Sequence, residues 1–246
     1  MKSTESGGTA RTKASEHDAD WYNEFYQTRQ EGLAPWYRFL LPELQRDLRT
    51  DQQLLELGCG QAHVLRLLSQ SGMIAPENLT GIDQSQAAID FSSRNLPKAH
   101  FKVDDIYVLG KLGDAKYDAC LLMETIEHLE NPEPALASIR RVLKPGARVY
   151  VSFPNYVHLP WLLVRILAEK LNRPNWIVLQ PVDKIYTVFT VIKLFEQAGF
   201  VFNKGIGSNY GPPVLYPLET DGMTRLMNKL RLWWLSFHPI LVFTKS

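Results

Sequence analysis

At 246 residues, with 45% hydrophobic and 22% charged side chains and a formal net charge of +1, the chain suffices for one substantial α/β domain and is short for two. That even balance gives no global pull toward nucleic acid or an anionic membrane, so only a local basic patch could supply one. Apart from Met1–His17, rich in Ser, Thr, Gly and Lys and lacking an apolar core, nothing has a low-complexity cast.

Residues 1–17 are expected to form a disordered tail rather than a secretory signal. Residues 18–246 are read as a single domain with helical inserts at about 156–187 and 207–237. Gln53–Leu57 reads as a buried strand ended by Gly58-Cys59-Gly60, followed by a helix with Val64, Leu65, Leu67 and Leu68 on one face. Leu79–Asp83 is a second strand, with Ser85 placed to cap the helix that carries Ala88, Ile89 and Phe91. His100–Val103 is a third, and Tyr117–Met123 a fourth, apolar throughout.

Beyond Glu124–Asn131, Leu136, Ile139, Val142 and Leu143 recur at helical spacing, and Pro145-Gly146 is expected to stop that helix before a fifth strand at Arg148–Phe153. Trp161–Leu171 is a helix outside the regular winding; core packing is its favoured reading over a membrane-facing one. A helix over Val188–Gly199 follows, and Val201–Lys204 with Ile240–Phe243 would close the sheet antiparallel. Met223–Phe237 carries an apolar stripe of Met223, Leu226, Met227, Leu230, Trp233, Trp234 and Phe237, again read as core-packing. Strands apolar on both faces need helices on each side. The expected fold is therefore α/β, a doubly wound, mostly parallel, seven-stranded, Rossmann-like sheet with helical insertions covering the acceptor side. Cys59 and Cys120 fall in buried parallel-sheet positions rather than a disulfide framework, which suits a reducing setting. Arg165, and later His238 with Pro239, interrupt the apolar runs well below the roughly 18 residues a membrane span needs.

The strongest functional signal is Leu54-Leu55-Glu56-Leu57-Gly58-Cys59-Gly60-Gln61-Ala62. A strand running into two glycines and then a helix lets backbone approach a ligand and aims a helix N-terminus at it. His63 stands where a dinucleotide fingerprint would have its third glycine, which disfavours a nicotinamide cofactor. Asp83 ends the next strand, where a carboxylate can accept from both ribose hydroxyls of a nucleoside.

In order and spacing, Glu56-Leu57-Gly58-Cys59-Gly60, Asp83, Asp104-Asp105-Ile106, Tyr117-Asp118, Glu127-His128 and Arg141-Val142-Leu143-Lys144-Pro145-Gly146 resemble the class I S-adenosylmethionine methyltransferases. The resemblance is closest to the ubiquinone-pathway O-methyltransferases and departs at Ala62, where many members have a third glycine. It implies that Gly58 and Gly60 pass beneath the methionine part, Asp83 holds the ribose, Asp105 and the Ile106 amide meet the adenine, and Met123 lies against the cofactor. Glu56 and Gln84 join that cofactor-binding set, whereas Asp118, opening a strand, reads as structural.

Methyl transfer is an in-line displacement in which alignment supplies much of the rate, and an oxygen or nitrogen acceptor must also shed a proton. Met123-Glu124-Thr125-Ile126-Glu127-His128 emerges from the fourth strand into the crevice. His128 is thus the candidate base, with Glu124 or Glu127 orienting it; the competing reading is that Glu127 and His128 brace the loop. Two carboxylates and an imidazole on one turn can also hold a divalent cation, but the Glu-His pair is widespread in methyltransferases that need none, so no metal site is assigned.

The expected function is S-adenosylmethionine-dependent methylation of a small molecule, at a hydroxyl of an aromatic or lipid-linked metabolite. The alternatives are an RNA 2′-O-methyltransferase, which lacks its usual Arg/Lys stripe here, and a non-catalytic cofactor-binding regulator. A cytoplasmic location is expected, with peripheral membrane contact left open, no nucleic-acid partner, and no inference on oligomeric state.

Overall fold

The computed structural model describes residues 13–28, 37–171, 180–211 and 220–246. Helix α1 covers Lys13–Thr28, so the expected tail is corrected at 13–17, which are helical; residues 1–12 lie outside the described residues. Helix α2 (Tyr37–Asp47) then leads into the winding.

The sheet is built from β1 (Leu54–Leu57), β2 (Leu79–Asp83), β3 (His100–Val103), β4 (Tyr117–Met123), β5 (Leu143–Ser152), β6 (Phe200–Ile206) and β7 (Ile240–Lys245). Their spatial order is β3-β2-β1-β4-β5-β7-β6 in one 7-stranded sheet. The strands β3 to β5 pair in parallel, and β7 runs antiparallel between β5 and β6. Order reverses between β1 and β4, and the crevice of such a sheet opens beyond the carboxyl ends of those two strands.

Alternation along the strands loads both faces. Leu55, Leu57, Cys120, Leu122, Val149 and Val151 pack under α5 (Pro132–Val142) and α7 (Val188–Gln197). Leu54, Leu121, Met123 and Tyr150 pack under α2 and α3 (His63–Gln70). Both cysteines are free and buried, Cys120 in the first of these layers and Cys59 in the turn after β1. Helix α4 (Gln86–Asn95) starts at Ser85, whose hydroxyl accepts from the Ala88 amide as the sequence suggests.

Helix α5 ends at Val142, ahead of Pro145-Gly146 as expected, but β5 starts at Leu143 rather than Arg148. Pro145 and Gly146 (φ 75°) instead lie inside β5, where its register against β4 shifts.

The continuous helix read over Met223–Phe237 is instead α8 (Asp221–Lys229), closed by Arg231 at φ 58° with Leu232 N–H donating to Met227 O (2.9 Å) and Arg231 N–H to Asn228 O (3.0 Å). Those two bonds are a Schellman closure with an arginine in the left-handed position. The apolar stripe divides: Met223, Leu226 and Leu230 are exposed, Phe237 is buried and Trp233 and Trp234 pack against the core, while α8 is held through buried Thr224 and through Asn228, which exchanges bonds with Gly207.

Helix α6 (Leu159–Lys170) is inverted. Arg165 and Ala168 are its buried residues, Arg165 bonded to Tyr156, Asp183 and Glu169, while Leu159 (70% exposed), Leu163 and Leu171 face outward. Among the described residues no helix is long and apolar enough to cross a membrane.

Candidate functional site

The turn after β1 is shaped by close approach. Gly58 (φ 66°) is a position where a Cβ would come within 2.6 Å of the Thr125 hydroxyl, and at Gly60 (φ 48°) a Cβ would come within 2.6 Å of the Tyr26 hydroxyl. Only glycine combines that backbone with that clearance. Ala62 completes the turn in the same left-handed region (φ 53°), so the missing third glycine is replaced by strain rather than by a different path.

Asp83 ties the turn to the next strand. Its Oδ2 accepts from the Gly60 amide (2.8 Å) and its Oδ1 from the Ser85 amide (2.9 Å). Each carboxylate oxygen accepts more than one bond, so both keep capacity toward a ligand. Glu56 is buried beside it, and its Oε2 has no hydrogen-bond partner. Burial, and then the Asp83 charge, push Glu56 up to about 8.

A cavity of about 530 Å³ opens over these groups, within the usual range for small-molecule sites. Glu56, Gly58, Gly60, Asp83, Gln84, Asp105, Ile106 and Met123, the whole sequence-derived cofactor set, line it. Asp105 accepts from the Tyr107 amide (2.8 Å), which fixes its loop at the β3 side. Asp118 does not join them. It accepts from the Gln53 amide (2.9 Å) and pairs with Lys144 (2.8 Å) at the far end of β4.

Glu124 and His128 line the same cavity; Glu127 stands behind them, its Oε1 3.6 Å from His128 Nε2. His128 Nδ1 lies 2.6 Å from Val182 O, so it donates there, and burial depresses its pKa. Burial raises Glu124 to about 7, and burial followed by the Glu124 charge raises Glu127 well above the usual carboxylate range. Among the described residues no group of three or more His, Cys, Asp or Glu is placed to hold a metal ion.

Sequence reasoning missed the roof. Trp21, Tyr22, Phe25 and Tyr26 of α1 line the cavity, and Asn23 Oδ1 accepts from the Ser85 hydroxyl (2.9 Å) and the Ala87 amide (3.2 Å) at the start of α4. The aromatic pairs at i, i+1, i+4 and i+5 are one helical face, a signal that was readable. Of the first insert, Gln180 and Val182 reach the cavity and α6 stands one layer back, through Arg165 and Asp183.

A nucleoside whose donor end carries an ammonium fits this arrangement. Two bare glycines provide the cradle, Asp83 the acid at the tip of β2, and the orphaned Glu56 oxygen a partner for the cation. Such a site on such a sheet defines the class I S-adenosylmethionine methyltransferase fold.

Comparison with known proteins agrees. The methyltransferase domain family matches residues 55–151. A ubiquinone biosynthesis O-methyltransferase from Pseudoalteromonas translucida (strain TAC 125) is 28% identical over 176 residues, 70% of this chain and 73% of that one. An uncharacterized 37.1 kDa protein in transposon TN4556 of Streptomyces fradiae is 33% identical over 114 residues, 45% of this chain, and the aligned stretch spans only 32% of that protein's length. Among solved structures, a methyltransferase from Thermotoga maritima described as a possible histamine N-methyltransferase superposes with TM-score 0.64 at 18% identity, over 94% of this chain and 99% of that one. Residues 55–151 thus carry a methyltransferase domain, on the fold of the S-adenosylmethionine-dependent methyltransferases, and the chain resembles the ubiquinone O-methyltransferases.

Proposed function

We propose that this domain moves the methyl group of S-adenosylmethionine to a hydroxyl of a small aromatic or lipid-linked acceptor. The observation that carries the reading is the carboxyl-rich segment Glu124–His128 at the mouth of the donor cradle, facing an aromatic roof. When bound, S-adenosylmethionine supplies an electrophilic methyl on a sulfonium centre.

Asp83 and Asp105 would grip the ribose and adenine, Glu56 the ammonium, and Met123 would pack beside the cofactor. Trp21, Tyr22 and Phe25 would stack an aromatic acceptor and exclude water. A carboxylate or imidazole of Glu124, Glu127 and His128 would take the hydroxyl proton, a contribution worth roughly 10²–10⁴-fold in rate. Among the described residues the cavity wall holds no Lys or Arg, which favours a small neutral or cationic acceptor over a nucleic-acid backbone.

The similarity to ubiquinone biosynthesis O-methyltransferases supports oxygen as the acceptor atom. The outward leucines of α6 and the exposed Met223, Leu226 and Leu230 beside Arg225, Lys229 and Arg231 support peripheral contact with a lipid surface. A panel of phenols, catechols, amines and prenylated phenols with methyl-labelled donor tests the reading. Label on a phenolic oxygen is the expected result, and label appearing solely on amines would overturn it.

A further inference from the structure

Glu124 is held in a way that a merely structural residue would not need. It leaves β4 with φ 52°, a left-handed conformation costly for a side chain of this kind and concentrated at functional sites. Ser152 at the end of β5 fixes it there. The Glu124 amide donates to Ser152 O and Oγ (3.1 Å each), and the Ser152 hydroxyl donates to Glu124 Oε1 (2.7 Å).

The other carboxyl oxygen, Oε2, lies 3.9 Å from Nε2 of buried His238, just ahead of β7. Two backbone bonds to Ser208 (3.2 Å each) pin His238, and the Ser208 hydroxyl donates to its carbonyl (2.9 Å). On the far side of the ring, Nδ1 sits 3.0 Å from the side-chain nitrogen of Asn209, itself left-handed at φ 61°. An amide nitrogen only donates. Nδ1 is therefore the acceptor, and the ring proton sits on Nε2, turned toward Glu124.

His128 is differently committed. Its Nδ1 donates to Val182 O, and its remaining basic nitrogen faces Glu127. Resting on the hydroxyl-methylating reading above, we propose that Glu124 is the group that takes the acceptor's proton and that His238 is a positioning residue whose Nε2 faces its second oxygen across 3.9 Å. Glu124 Oε2 accepts the hydroxyl proton as the acceptor oxygen bonds to the methyl carbon, while the C–S bonding pair passes to sulfur. Glu124 then returns the proton to solvent on product release.

Burial, and then nearby His158, push His238 down to about 3, so it stays neutral and serves as a donor rather than a base. Glu124, raised to about 7 by burial, is the group that titrates near neutrality. Facing it are Glu127 from the following turn, with Asp183 beyond, Ser152 from β5, and His238 with His158 behind it. Removing the Nε2 proton should raise the Glu124 pKa, and a glutamine at 238 should restore part of the effect.

Two arms test this. With a hydroxyl acceptor, kcat/KM should rise with pH through about 7 in the wild type. His238→Phe should move that inflection up by about one unit with unchanged affinity for S-adenosylhomocysteine, His238→Gln should bring it back, and Glu124→Gln should lower kcat roughly 10²–10⁴-fold. In the second arm, difference infrared spectroscopy of the donor-analogue complex, wild type against Glu124→Gln, follows the carboxyl band without any acceptor. Its midpoint should shift upward in His238→Phe. An unmoved midpoint overturns the coupling, and a wild-type rate in Glu124→Gln overturns the base. If no hydroxyl compound is methylated, the hydroxyl reading fails while the infrared arm still decides the coupling.

Discussion

Affinity for the donor should depend on pH through Glu56. In the free protein its carboxyl is buried, one oxygen is unpartnered, and its pKa stands at about 8. To meet a ligand ammonium it must be ionised. Two units below that value about 1% of it is, so binding must overcome about 2 × 1.36, or ~2.7 kcal/mol. Affinity should therefore fall about fiftyfold between pH 8 and pH 6, nearing tenfold per unit at the acid end, with about one proton released per ligand bound there. Titration calorimetry with S-adenosylhomocysteine, which keeps the same amino-acid end, reads both quantities when run in two buffers of different protonation enthalpy. Glu56→Gln should bind more weakly at pH 8 and lose this dependence. A wild-type affinity that is flat from pH 6 to 8, with no proton release, would refute the reasoning.

The same carboxyl makes a stability prediction of opposite sense. A pKa raised from 4.5 to about 8 by folding gives stability that is present below 4.5 and lost as pH rises to 8. The ligand-free protein should thus melt lower at pH 8 than at pH 5, and Glu56→Gln should flatten that slope and melt higher than wild type at pH 8; calorimetric scans decide. Asn23→Ala removes the acceptor that ties α1 to the start of α4. Losing about 1–2 kcal/mol from the closed roof should speed donor dissociation roughly tenfold in stopped-flow displacement, with the melting temperature nearly kept. Asp118→Ala strands the Gln53 amide and Lys144. It should cost about 1–2 kcal/mol in urea unfolding with kcat unchanged, and a fall in kcat without loss of stability would contradict its structural role.

Much of the donor side was legible because its signals are local. β2 and β4 begin and end where the apolar runs do, since a strand covered on both faces is bounded by the first turn residue. Glu56, the two glycines, Asp83 and Asp105 lie at strand tips, so reading the strands places them.

Beyond Glu124 and His128, the acceptor side was not legible, for two physical reasons. Apolar periodicity says which residues of a helix share a face, not which face is covered. α6 turns Arg165 inward because Tyr156 and Asp183 satisfy its charge, and α8 breaks at Arg231, a residue with no left-handed preference. Further, His238 meets Glu124 across more than a hundred residues through the antiparallel insertion of β7, a pairing that no local spacing encodes.

The central claim is that the tips of β1 and β2 hold an S-adenosyl nucleoside. A crystal structure with S-adenosylhomocysteine tests it directly. The account predicts the ribose hydroxyls on Asp83, the ammonium on Glu56 Oε2 and the adenine beside Asp105 and Ile106, beneath Tyr26. Density for the ligand anywhere else, or a vacant crevice at saturating concentration, would contradict it.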